Sequence, residues 1–469
     1  MTRRALPVTL PLALALAGCS SDPEATGSAA SASSTGSGGA PATSSTTTAT
    51  TGGAAGAGGG GGTGGMIDDD APFAEKRAAC AFKAGAKTDE TFGPSIAQAQ
   101  IPIDTFVLVV QENRSFDHYL SALPAYGQPD VDVAAPDATS PDADGNPVSR
   151  FHQTNYCFGD TNHGWDGMHV AWNGGGNDGF VEANDPGGER ALGWFDDGDL
   201  PFYYAAASAF GVGDRYFCPT LTQTGPNRLY LYGGTSLGSI TNVGGPAGFV
   251  SIFDSLNDAG VAWGVYRNAS YSYEGAMFPA QATMYPERFK SLTDFAADAA
   301  ADALPAVVFT YVGPDEHPPQ DMQKGAVEVQ KKIFAPLSTS PAWMHAAMIV
   351  TYDESGGLYD HVPPPKACAP DDIPPDLNPG QQPGGFDQYG FRVPFIVASA
   401  WSRPHFVSHT VHDHTSILRL LELRFGLSAL TARDANANSL LEFFDFSSPG
   451  FPQPPDIPLA TVDAAKLCP

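Results

Sequence analysis

Five short apolar runs rich in β-prone residues recur along the chain: Thr105–Val110, Ala262–Tyr266, Ala306–Tyr311, Met348–Tyr352 and Pro394–Ala398. Unbroken runs of this length predict strands buried on both faces. Stretches with helical spacing lie between and after them, at 200–210, 226–235, 287–300, 322–336 and 414–425. Strands alternating with helices predict an α/β fold, a mostly parallel central sheet covered by helices on both faces. Such sheets bind ligands outside the carboxyl ends of their strands. The residues that follow each run are therefore the ones to read for chemistry.

The pattern changes before Asp68. Residues 25–65 hold only Gly, Ala, Ser, Thr and one Pro. Without charge or aromatic residues they cannot bury a core, which predicts a flexible tether over 19–66. Ahead of it, Arg3 and Arg4 precede the apolar run Ala5–Ala17, which is too short to span a bilayer. This is the pattern of a signal peptide over 1–18. Its end, Leu16-Ala17-Gly18-Cys19, resembles a bacterial lipobox, which implies cleavage before Cys19 and lipidation of its sulfur. The expectation is an exported protein anchored by lipid to the bacterial envelope, at the outer membrane or cell surface. Residues 67–469 are expected to form a single domain, with Pro/Asp-rich surface loops at 128–147 and 363–384.

Composition narrows the partners. The 469 residues are 42% apolar and 11% aromatic, which is enough for a large core. Acidic residues outnumber basic ones by 51 to 24, for a formal net charge of −27. That surface disfavours nucleic acid. An anionic substrate stays open, because a bound cation reverses the field locally. Besides Cys19 there are Cys80, Cys157, Cys218, Cys368 and Cys468. An oxidising compartment would allow one or two disulfides, and the odd number leaves at least one thiol unpaired. No Cys/His spacing suits zinc.

Chemistry gathers at the strand ends. Glu112 and Asn113 follow the first run, and Asp353 and Glu354 follow Met348–Tyr352. Carboxylates with an amide oxygen suit one hard divalent ion, with Mg, Ca or Mn favoured. Thr224 lies two residues before Pro226, which fits a first helical turn, so Thr224 is expected just ahead of a helix N-terminus. Backbone N–H groups and the helix dipole favour phosphate there. A hydroxyl beside a divalent metal can ionise and act as a nucleophile. His163, in Asp160-Thr161-Asn162-His163-Gly164-Trp165, and His317, in Asp315-Glu316-His317-Pro318-Pro319, are candidates to bind phosphate or protonate a leaving group. His361 and His414 read better as hydrogen-bonded loop histidines. There is no P-loop or dinucleotide-binding glycine turn.

Several segments together resemble one family. They include ENRSFDHYL at 112–120, DTNHGW at 160–165, WNGGGNDGF at 172–180 and TGPNRLYLYGGTS at 224–236. EHPP at 316–319, TYDESGGLYDHVPPP at 351–365 and HDHTSILRLLELRFGL at 412–427 complete the set. They resemble the bacterial phosphoesterase family of phospholipases C and metal-dependent acid phosphatases, within the alkaline-phosphatase-like superfamily. The resemblance implies metal-dependent hydrolysis of phosphoric esters, including phospholipids. It implies Glu112, Asn113, Asp353 and Glu354 as metal ligands, Thr224 as a ligand and nucleophile that forms a phospho-enzyme, and His163 and His317 in the phosphate pocket. Lipases of the family often carry further β-rich domains that are not found here, which shifts the expectation towards a compact phosphatase or phosphodiesterase. A sulfatase would need a formylglycine precursor in a CxPxR-like run, and Cys218-Pro219-Thr220 does not fit. A catalytically inactive binding lipoprotein is the other alternative. The presence of every expected ligand and of Thr224 argues against it.

Overall fold

The computed structural model describes residues 71–93, 100–268 and 271–468. The signal peptide, Cys19 and the tether lie outside the described residues. All five apolar runs are strands, and three short strands join them. In chain order the elements that frame the site begin with β1 (Thr105–Gln111), α1 (Phe116–Leu120), α2 (Trp165–Trp172) and α3 (Pro201–Ala209). Next come β2 (Gly211–Gly213), α4 (Thr224–Gly233), α5 (Ile252–Asp258), β3 (Trp263–Arg267) and β4 (Phe289–Ser291). The remainder are α6 (Leu292–Ala300), β5 (Val307–Tyr311), α7 (Met322–Val329), β6 (Ala346–Tyr352), β7 (Phe395–Ser399), β8 (Phe406–Ser408) and α8 (His414–Phe425).

The sheet runs β8-β2-β7-β6-β1-β5-β3-β4. β1 is central and parallel to both β6 and β5, and β3 continues parallel to β5 and β4. β7 is antiparallel to β6 and β2. Its direction keeps the long 353–394 connection at the carboxyl end of β6, beside the site. The chain 287–300, expected as one helix, contains the edge strand β4 before α6 begins. Ser291 ends that strand and caps the helix.

Helices cover both faces, as the unbroken apolar runs require. On β3, Trp263 packs on Phe253 of α5 at 4.6 Å between ring centroids, while Tyr266 packs on Phe295 of α6 at 5.5 Å. Residues an odd number apart point to opposite faces of a strand, so α5 and α6 lie on opposite sides. Tyr232 of α4 meets Phe253 and Phe309 on the α5 side, at 5.7 and 5.6 Å. Every residue of β1 and β6 is buried.

Two disulfides, Cys80–Cys368 and Cys157–Cys468, tie distant parts of the chain to the body, and Cys218 is a free, buried thiol. Among the described residues, no helix is long and apolar enough to cross a membrane.

One core group is out of balance. Glu422 on α8 is buried; neither carboxyl oxygen meets a hydrogen-bond donor, and Arg419 Nη1 stands off at 4.0 Å from Oε2. Burial, reinforced by the neighbouring Asp434, holds its pKa well above the ordinary glutamate range. The folded chain therefore keeps a proton that the unfolded chain releases as pH rises. The stability this confers is fully present below the unfolded pKa and is lost as pH climbs towards the raised value, by roughly 1.4 kcal/mol per pH unit. Glu422→Gln should thus be close to neutral at pH 4 and stabilising at pH 8. Denaturant unfolding at the two pH values checks this, and an equal effect at both would count against a protonated Glu422.

Candidate active site

Strand register makes the first placement. Gln111 pairs with Tyr352 at the ends of β1 and β6, so Glu112-Asn113 and Asp353-Glu354 leave neighbouring strands side by side. Backbone bonds continue past the strand ends, from Asp353 N to Gln111 O (3.1 Å) and from Arg114 N to Glu354 O (3.0 Å). Asn113 N donates to Asp353 Oδ1 at 3.1 Å. The turn after Glu354 then passes beneath two other loops. Gly356 and Gly357 have φ of +68° and +66°. A Cβ on either would stand 2.6 Å from a carbonyl oxygen, that of Asn113 or of Asn162. The two glycines therefore allow Asp353-Glu354, Asn113 and the His163 loop to meet.

Helix α4 brings in the hydroxyl. It starts earlier than its sequence pattern suggests: Gln223 is the N-cap and Thr224 is the first helical residue, rather than the residue ahead of the helix. Thr224 Oγ1 lies 3.0 Å from Glu112 Oε1 and 3.3 Å from Asn113 Oδ1. The helix amide expected to meet phosphate is not free at Gly225, whose N–H donates to Asn242 Oδ1 at 2.7 Å. Arg228 stands one turn after Thr224, on the same helix face. Its Nε donates to Asp353 Oδ2 at 3.0 Å, and its guanidinium lies 3.8 Å over the ring of Tyr273. The Tyr273 hydroxyl donates to Glu112 Oε2 at 2.5 Å. Arg228 and Tyr273 thus link the two acidic strand ends from outside.

The histidines line the more open side. His163 Nδ1 faces the Thr161 carbonyl at 2.7 Å and so carries the proton; its Nε2 accepts from Asn113 Nδ2 at 3.2 Å. Burial lowers the pKa of this ring, against the pull of Asp160, and favours the neutral form. His317 Nδ1 donates to Pro318 O at 2.5 Å, which leaves Nε2 unprotonated in the neutral ring, 3.9 Å from Asp160 Oδ2. The two rings are 5.6 Å apart.

The family model described as the Phosphoesterase family matches residues 103–428. The chain belongs to the Phosphoesterase family. It is therefore a hydrolase acting on phosphoric esters. It is 33% identical to Phospholipase C B of Mycobacterium tuberculosis over 433 residues, covering 78% of this chain and 82% of that one. It is also 33% identical to Non-specific phospholipase C1 of Arabidopsis thaliana over 389 residues, covering 74% and 71%. A solved structure from Vibrio parahaemolyticus, described as a protein in the alkaline phosphatase superfamily, is similar at 9% identity and a TM-score of 0.33, over 69% of this chain and 79% of that one.

The residues of this phosphoesterase fit a hard cation on three counts. Glu354 Oε1 is buried and has no partner. The single Thr224 proton cannot serve both oxygens that face it. Burial, with Asp315 and Asp353 nearby, holds the Glu112 carboxyl well above the usual range, and burial with Asp353 does the same for Glu354. Both are the marks of negative charge short of a counter-ion. The donors are nevertheless spread out. Among the described residues, Asp160, His163 and His317 bring ligand atoms within 4.8 Å of one another, as do Asp117, Asp360 and His361, and His152, Asp196 and Asp199; Glu112, Asp353 and Glu354 are not such a group. The amide of Asn113 and the hydroxyl of Thr224 supply the donors between the carboxylates.

Four contributors went unassigned from sequence. Arg228 was detectable as the i+4 partner of Thr224, and Asp160 as the acid beside His163. Tyr273 carries no local signal. His414 donates from Nε2 to the Asp353 carbonyl at 2.8 Å while the Tyr216 hydroxyl donates to its Nδ1 at 3.0 Å. Burial lowers its pKa to about 3, so it acts as a neutral support. His361 is held away from the site by Asp117, 2.6 Å from Nδ1.

The Gly356 turn is open to test. Gly356→Ala adds a Cβ against the Asn113 carbonyl at a left-handed φ, which costs on the order of 1–3 kcal/mol. Activity on p-nitrophenyl phosphate should fall at least about tenfold, since catalytic geometry is sensitive to ångström shifts. The same measurement returning full activity would show that the close approach does not matter.

Proposed function

We propose that the protein hydrolyses phosphoric esters, phospholipids among them, through Thr224 and one divalent cation held by Glu112, Asn113, Thr224, Asp353 and Glu354. The observation that carries this reading is the Thr224 hydroxyl facing both Glu112 and Asn113, whose backbone N–H in turn holds Asp353. A cation bound there would offset charge on the transferring phosphoryl group and lower the pKa of the hydroxyl, with Mg, Ca or Mn suited to an all-oxygen set. Thr224 Oγ1, its proton released to solvent, attacks phosphorus; the bond to the alcohol breaks, and the leaving oxygen takes a proton. His317 suits that donor role better than His163 when its ring carries both protons: Nδ1 is fixed on a carbonyl, and Nε2, which is not tied to Asn113, would hold the proton to be given. Water then attacks the phosphothreonine, the P–Oγ1 bond breaks, and Thr224 recovers its hydroxyl.

The names of the relatives favour the phospholipase side of the substrate range. The chain spans 82% of the mycobacterial phospholipase, which weakens the argument for a phosphatase from the missing additional domains. An exported protein of one phosphoesterase domain, 67–469, lipid-anchored through Cys19 on a 19–66 tether, completes the reading.

Thr224→Ala should lower kcat by at least about a thousandfold, as loss of a nucleophile does, while a bound cation is retained. Asp353→Ala should lose the cation, and chelator should silence the wild type. Assays on p-nitrophenyl phosphate and phosphatidylcholine vesicles, with metal analysis, check all three; near-normal turnover by Thr224→Ala would end the nucleophile assignment. Cys19→Ser should move the protein from the membrane to the soluble fraction, and unchanged membrane retention would exclude anchoring at that sulfur.

A further inference from the structure

Glu316 precedes His317 and is fully buried, with a left-handed φ of +75°. Four donors converge on its carboxylate. Gln111 Nε2 (3.0 Å) and Tyr203 OH (2.6 Å) reach Oε1, while Tyr119 OH and Tyr352 OH, each at 2.7 Å, reach Oε2. Its carbonyl oxygen accepts from Arg114 Nε at 2.8 Å and from Arg114 Nη2. All four of these donors are neutral side chains. An ionised carboxylate offers about four lone-pair sites, and neutral donors occupy them all. Asp and Glu are seldom buried without a charged partner, and a plain core position would be filled better by an apolar side chain.

The identity of the donors supplies a reason. Gln111 immediately precedes Glu112-Asn113, and Arg114 immediately follows that pair. Tyr352 immediately precedes Asp353-Glu354. Gln111 and Tyr352 are register partners, so their side chains share one face of the sheet. That is the face of α3, where Tyr352 meets the ring of Tyr203 at 6.4 Å. Glu112 and Asp353 meet Thr224 and Arg228 of α4, on the other side. Glu316 therefore grips the last residue of each strand from behind the site.

We propose that Glu316 is a positioning residue, whose carboxylate and carbonyl hold Gln111, Arg114 and Tyr352 and so set the spacing of the two acidic pairs and of His317. This rests on the reading that those pairs hold a divalent cation. A role confined to core stability makes a different prediction. Tyr203 on α3 donates to the same carboxylate but adjoins neither pair, so Tyr203→Phe removes a bond of the same kind without touching a strand end.

The test is a calorimetric Mn²⁺ titration of the full chain, run with thermal unfolding and with kcat and KM on p-nitrophenyl phosphate. Glu316→Gln places an amide NH₂ against donors, and Tyr352→Phe frees one strand end. Both should weaken Mn²⁺ binding by about tenfold or more, the usual size for groups that orient metal ligands, and should lower kcat more than they change KM. Tyr203→Phe should lose comparable thermal stability but keep Mn²⁺ affinity within about threefold. Glu316→Asp, which keeps the charge on a shorter arm, should recover part of the loss. Wild-type Mn²⁺ affinity in folded Glu316→Gln or Tyr352→Phe would overturn the proposal, as would equal losses in Tyr203→Phe. If Glu316→Gln fails to fold, Tyr352→Phe decides. A wild type that binds no divalent cation would instead overturn the proposed function, and that result precedes any variant.

Discussion

Like charge forced together in the interior governs this molecule. Two parallel strands in register deliver Glu112 and Asp353 side by side at the sheet's carboxyl edge, with Glu354 next in line. Repulsion between carboxylates is severe where water is excluded. The chain relieves part of it: Arg228 pairs with Asp353, Tyr273 donates to Glu112, and Gly356 N donates to Glu354 Oε2 at 2.7 Å. Glu354 Oε1 is left without a partner, and two carboxyls are pushed towards protonation. An apolar core would avoid this cost. Its presence makes sense where a ligand completes the site, because groups arranged for a ligand are strained in its absence.

The Thr224 hydroxyl and the charge compensation of Asp353 come from one rigid element. Thr224 and Arg228 are one turn apart on α4, so the ion pair to Asp353 also fixes how far the hydroxyl reaches towards Glu112. Pro226 between them costs no hydrogen bond in the first turn. The neutral rings around Glu316 hold the opposite face of the sheet. The site is thus gripped from both sides of the strands that carry it, and the groups nearest solvent are Asp160, His163 and His317.

What could be read in advance followed from local rules. Buried strands show as unbroken apolar runs, and α8 is framed by Asp413 at its start and Gly426 at its end, so its limits were visible. The acidic pairs and Thr224 were legible because strand ends and helix starts are where such folds place ligands. The rest needed three dimensions. β2, β4 and β8 are three residues each, too short for a period to show. The reversed direction of β7 leaves no trace in its own residues. Tyr273 and Glu316 matter only through partners far away in sequence: Tyr273 is 161 residues from Glu112, and Glu316 is 113 from Tyr203. Disulfide pairing is likewise settled by separations of 288 and 311 residues.

The chain's overall charge would give the proposed cation a second task. A protein of net charge −27 repels an anionic ester at long range, and a pocket floored by three carboxylates would repel it at contact. Arg228, the arginine at the site among the described residues, is buried and already committed to Asp353. His163 is held neutral, so it cannot attract the anion either. Positive potential must then come from whatever the carboxylates hold. On the proposed reading, substrate binding and cation binding would be coupled by electrostatics alone, before any bond to phosphorus is made. On the proposed reading, the acidity that disfavours nucleic acid would also make the site depend on the ion.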